Sequence, residues 1–137
     1  MKKLILALGC LVAAAACSIT DSDAFQFSFS ATPLDAAPTP PAPATINTDT
    51  SGLVVVRGDA NTPCADQGVR INGNRSGNDL RISINRGSTG ACTGGTRWFT
   101  YFARMAVPSG GTYHLILTDG TSGSTVTVLD QNVTVRD

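Results

Sequence analysis

Polar and apolar residues alternate along short stretches of the second half of the chain, and the alternation is that of strands. "DLRISIN" puts Leu80, Ile82 and Ile84 on one face and Arg81, Ser83 and Asn85 on the other, the two-residue period of a half-buried β-strand. "TYHLILTD" places Tyr113, Leu115 and Leu117 inward and His114 and Ile116 outward. "RWFTYFARMAV" sets Phe99, Tyr101, Ala103, Met105 and Val107 against Trp98, Thr100, Phe102 and Arg104. "LVVVRG" opens this region, and "STVTVLDQNVTVR" closes it as two short strands or one kinked strand. Turn-type segments separate the runs: "GDANTP", "NGNRSGND", "GSTGACTGG", "PSGG", "DGTSGS" and "LDQN". No segment keeps a helical period. The spacing predicts an all-β antiparallel sandwich or barrel over residues 51–137, and one wet face per sheet is the antiparallel habit.

Upstream the pattern changes twice. Residues 1–16 run from Lys2-Lys3 into an uncharged stretch, Leu4 to Ala16, too short for a membrane span of about 20 residues and therefore read as a secretory signal. Residues 17–50 are rich in Ala, Pro, Ser, Thr and Asp, with "LDAAPTPPAPAT" at the centre. Proline at this density favours extended polyproline II structure, so the segment reads as a tether. Within it "AFQFSFS" alternates Phe25, Phe27 and Phe29 with polar residues. That is either a first strand on the domain edge or a segment lying near the membrane.

The boundary between signal and tether carries chemistry. Cleavage at an ordinary Ala-x-Ala site is one reading. In the other, Ala14-Ala15-Ala16-Cys17 resembles the lipobox of bacterial lipoproteins, and the resemblance implies that Cys17 becomes the first residue and carries diacylglycerol. It implies further that Ser18, where an aspartate would favour inner-membrane retention, directs the protein to the outer membrane. The partner so implied is a membrane, reached through the N-terminal lipid. On the lipoprotein reading Cys10 leaves with the signal and Cys17 takes the lipid, and plain cleavage after Cys17 leaves the same two; either way Cys64 and Cys92 are expected to form one disulfide in an oxidising compartment. A domain this small is marginal without such a brace.

"VPSGGTYHLIL" also carries a resemblance. A Pro-Gly turn before a Thr-Tyr-x-Leu strand looks like the entry to a late strand of immunoglobulin-like sandwiches, which implies a tyrosine-corner role for Tyr113. The immunoglobulin tryptophan between two cysteines is missing, because Trp98 follows Cys92. The whole is similar to small single-disulfide domains of bacterial lipoproteins, a likeness that implies no activity.

Charge and reactive residues exclude more than they suggest. Beyond the signal, eight scattered arginines face ten aspartates, which is no nucleic-acid footprint. Glutamate is absent, there is no Gly-x-Ser-x-Gly elbow, and His114, with no carboxylate near it in sequence, reads as a surface residue. No catalytic set and no cofactor are expected, and two isolated cysteines make no metal centre. Asp59, Asn61 and Asp66 do not match an EF-hand loop. "VRGD" places Arg57-Gly58-Asp59 after an apolar strand, open to display as an adhesion tripeptide. The remaining candidates are Trp98, Phe102 and Arg104, exposed on one strand face, the two aromatics about 13–14 Å apart. They suggest a module that binds an envelope protein or glycan, or alternatively a secreted carbohydrate-binding accessory module. The opposite expectation is that Phe25, Phe27 or the tether covers this face.

Overall fold

The computed structural model describes residues 25–87, 92, 94–121 and 123–137. Cys17, with its neighbours Cys10 and Ser18 and the whole signal segment, lies outside the described residues. Eight strands form two four-stranded sheets, and no helix occurs among the described residues. The strands are β1 (Gln26–Pro33), β2 (Thr45–Asn47), β3 (Leu53–Thr62), β4 (Arg70–Ser76), β5 (Asp79–Asn85), β6 (Arg97–Ala106), β7 (Gly111–Thr121) and β8 (Ser124–Val135). The first sheet runs β1-β6-β3-β2 and the second β4-β5-β7-β8. This is a β-sandwich.

Its core is what the alternation selects. Val54 and Val56 of β3 and Phe99, Tyr101, Ala103 and Met105 of β6 face Leu80, Ile82 and Ile84 of β5 and Leu115 and Leu117 of β7, all buried. Ile71, Val133 and Val135 extend the layer to the outer strands of the second sheet. Each fully buried aliphatic side chain contributes about 1.5–3 kcal/mol relative to exposure, so this single layer is the main source of stability.

The expectation of antiparallel sheets holds except at one pair. β5 and β7 are parallel, with Asp79 opposite His114 and Leu80 opposite Leu115. After β5 the chain leaves the second sheet, runs through the first as β6, and returns as β7 in the direction of β5. The in–out period of a strand is the same beside a parallel or an antiparallel neighbour, so the sequence could not distinguish them.

The first sheet also takes in residues that composition assigns to the tether. β1 pairs along its whole length with β6, from Gln26 opposite Ala106 to Pro33 opposite Phe99. β2 pairs with β3 at Thr45 through Asn47. The segment around Phe25–Phe29 is thus an edge strand, and the folded region begins before residue 51. Phe27 turns inward over Gly73 of β4, where a Cβ would fall 2.7 Å from its Cγ. The proline-rich stretch between these two edge strands is a short connection across the sheet.

Turn-like composition hid several strand interiors. "NGNRSGND" contains most of β4 and turns only at Gly77-Asn78, with Gly77 at φ 60°. "GDANTP" is largely β3, and "LDQN" lies within β8. The closing segment is a single 12-residue strand whose register against β7 shifts between Leu117 and Thr118. That irregularity is the kink the sequence left open.

Cys64 and Cys92 form a disulfide with Cα atoms 5.5 Å apart. It ties the β3–β4 connection to the β5–β6 connection, two of the three places where the chain passes between sheets. A polar link supports the same end: Arg86, just after β5, pairs with Asp119 of β7 at 2.8 Å and donates to Asn61 of β3 at 2.7 Å.

Candidate functional site

The strand that carries Trp98, Phe102 and Arg104 is central in the first sheet, so each has neighbours on both sides. Inward positions of β6 are filled by the core, and alternation sends Trp98, Thr100, Phe102 and Arg104 to the outer face. The registers then define rungs across that face. Phe102 stands between Ser30 of β1 and Arg57 of β3, and Arg57 in turn faces Thr45 of β2. Arg104 stands between Ser28 and Val55, and Thr100 between Thr32 and Asp59. The Arg57 guanidinium lies 5.1 Å from the Phe102 ring centroid, a cation–π contact worth about 0.5–1 kcal/mol at an exposed site.

β1 does not cover this face. It lies at the sheet edge, and Phe27 points into the core. A shallow depression of about 160 Å³ opens between Ser28, Ser30, Phe102 and Arg104. Trp98 has a different setting. The connection from β1 to β2 begins beside it, where the Leu34 N–H donates to the Trp98 carbonyl at 2.9 Å. An open cleft of about 580 Å³ forms there, with Leu34, Asp35, Arg97 and Trp98 among its walls. The tether therefore borders the tryptophan end of the face and leaves Phe102 and Arg104 uncovered.

"VRGD" is no displayed tripeptide. Arg57, Gly58 and Asp59 lie inside β3. Gly58 is required by packing, because a Cβ there would sit 2.7 Å from the Tyr101 hydroxyl. Asp59 accepts from the Ala42 N–H at 2.8 Å and from the Thr100 hydroxyl at 2.7 Å. These bonds hold the connection onto β3 and leave Asp59 committed. Among the described residues no group of three metal-ligating side chains exists, and Asn61 is taken up by Arg86.

Tyr113 is buried, and its hydroxyl donates to the Ser109 carbonyl, four residues upstream, at 2.7 Å. Tyr101, buried below Gly58, has its pKa pushed up to about 12, first by burial and then by the charges of Asp119 and Asp59.

His114 has carboxylate neighbours that its sequence surroundings concealed. On the outer face of the second sheet its Nε2 lies 2.6 Å from Asp130 of β8 and its Nδ1 3.5 Å from Asp79 of β5. The hydrogen bond to Asp130, ahead of the weaker influence of Asp79, raises its pKa above 6.5. Both ring nitrogens are thus directed at carboxylates, which favour protonation of the ring. This geometry suits an exposed cross-strand clamp better than a general base, which needs a free nitrogen for a substrate proton. The only sequence signal was Asp79 itself, and it became relevant through the parallel β5–β7 pairing.

No protein-family model, curated protein or solved structure matches this chain. No helix among the described residues is long and apolar enough to cross a membrane.

Proposed function

We propose that the protein is a non-enzymatic cell-envelope lipoprotein, anchored through Cys17, whose β-sandwich binds an envelope protein or glycan on the outer face of its first sheet. One observation supports the binding surface above all: Phe102, Arg57 and Arg104 stand together on a sheet face that neither β1 nor the tether covers. Phe102 is half-buried with arginine beside it, and aromatics and arginines are the residues that dominate recognition surfaces. The anchor rests on the Lys-Lys start, the short apolar run and the Ala-Ala-Ala-Cys boundary. Engagement of both His114 nitrogens supports the absence of hydrolytic chemistry. The immunoglobulin-like assignment rests on the Pro-Gly turn before Tyr113 and its bond to Ser109.

Radiolabelled palmitate is expected to enter the full chain, and Cys17→Ser to abolish both labelling and sedimentation with membranes. An unlabelled, soluble wild-type product would refute the anchor. A photo-crosslinking amino acid at position 102 is expected to yield adducts in intact cells, whereas one at exposed position 83 on the second sheet is not. Equal yields, or none at 102, would refute the surface.

A further inference from the structure

We infer that the outer face of the first sheet takes an acidic glycan, a chain of carboxylate-bearing sugars, with Arg57 and Arg104 as the anion-binding pair. This rests on the reading of that face as the binding surface and names the ligand class.

Among the described residues neither Arg57 nor Arg104 forms an ion pair, although Arg86 and Arg81 both do. The nearest carboxylate on the face, Asp59, has both oxygens occupied by Ala42 and Thr100. Asp59 keeps its charge but makes no ion pair with either guanidinium, so both can take an anionic ligand directly. Arg57 is opposite Phe102 and Arg104 is two residues on, so the pair are diagonal neighbours, roughly 7–8 Å apart at the backbone. Planar guanidinium groups at this spacing can grip one carboxylate or two adjacent ones by paired N–H donation.

The residues between and beside them suit a sugar. Phe102, half-buried with the Arg57 guanidinium over its ring, offers the remaining exposed part of that ring to the C–H face of a pyranose. Ser28 and Ser30 line the same depression with Phe102, and Thr45 continues the rung beyond Arg57. Hydroxyls that both donate and accept match the hydroxyls of a saccharide. The depression is shallow, which admits a chain passing through. Four residues along β6, Trp98 stands at the cleft about 13–14 Å away. A lipid headgroup or a single small anion needs one contact point. An aromatic, two arginines and a second aromatic in line favour a polymer.

The test is affinity electrophoresis of the full chain in detergent through gels containing polygalacturonate, a carboxylated glycan, or dextran, a neutral one, with phosphatidylglycerol vesicles as a separate arm. Polygalacturonate is expected to retard the protein, reversibly with salt, and dextran is not. Arg57→Gln, Arg104→Gln and Phe102→Ala should each weaken retardation about tenfold or more, while Arg70→Gln on the exposed side of β4 should change nothing. Arg104 makes no contact whose loss would unfold the chain, so its variant reads binding alone. Equal retardation by both glycans, lost in Phe102→Ala, would overturn the acidic-sugar assignment and leave the binding face standing. Retardation insensitive to Phe102→Ala, Arg57→Gln and Arg104→Gln would overturn both. Absence of any retardation, or binding to vesicles alone, would overturn the glycan, with crosslinking at position 102 deciding separately for the face.

Discussion

The seating of Phe27 over Gly73 gives the sharpest test of where the folded region begins. Phe27 belongs to β1, in the stretch that composition assigns to the tether, and Gly73 to the interior of β4 in the other sheet. Gly73 lies opposite Ile82 on the inward side, and the ring occupies the space its missing side chain leaves. A Cβ at position 73 would come 2.7 Å from Phe27 Cγ, about 1 Å inside the optimal carbon–carbon separation. Gly73→Ala must therefore push β1 outward, an overpacking cost of about 1–3 kcal/mol, offset in part by about 0.5–1 kcal/mol from replacing glycine in a strand. Phe27→Ala removes a partly buried ring and should cost about 1–2 kcal/mol. The decisive quantity is the coupling. With alanine at 27 the obstruction is gone, and Gly73→Ala should become neutral or stabilising, so the cycle closes with about 1–3 kcal/mol of interaction. Urea unfolding of the four chains, followed by far-ultraviolet circular dichroism, measures it. Additivity within about 0.5 kcal/mol would show that β1 does not dock there.

Three further outcomes follow from the same geometry. The Cys64–Cys92 bridge spans 28 residues, which the chain-entropy argument converts to roughly 3–4 kcal/mol; Cys64→Ala with Cys92→Ala should lower Tm by about 15 °C, and an unchanged Tm would refute the bridge's bracing role. Tyr101 should ionise near pH 12 by ultraviolet titration. Because its folded pKa is raised, its stabilising contribution is complete below about pH 10 and disappears as pH rises towards 12, and Tyr101→Phe should remove that dependence; titration near 10 in the folded protein would contradict the burial. His114, whose folded pKa is also raised, contributes most below pH 6.5 and loses its contribution as pH rises through its folded value; Asp130→Asn should bring its imidazole NMR titration back towards 6.5, and no change would exclude the clamp.

What the sequence disclosed and what it concealed divide along physical lines. The inward rows of β5, β6 and β7 were legible because a buried face enforces a two-residue period. The disulfide was legible from cysteine number together with the expectation of export. β4 was not, because its interior spends Gly73 on a neighbouring ring and its outer positions on Asn72 and Asn74, residues that also build turns. β1 was ambiguous because alternating phenylalanines suit a sheet edge and a membrane surface alike. The rung that joins Ser30, Phe102, Arg57 and Thr45 draws on four strands separated in sequence. Only pairing and register could assemble it, although Phe102 and Arg104 were visible on their strand. The Asp79–His114 contact depended on one parallel pairing that no local pattern encodes.

The central claim is that the outer face of the first sheet is an open recognition surface, and a single reporter at its centre tests it. In the full chain carrying Trp98→Phe and Phe102→Trp the sole indole stands beside Arg57. Its fluorescence is predicted to be readily quenched by acrylamide, and to be protected when polygalacturonate or envelope fraction is added. A blue-shifted emission that acrylamide cannot quench in the free protein would contradict the account, because it would mean that this face is packed against the chain itself.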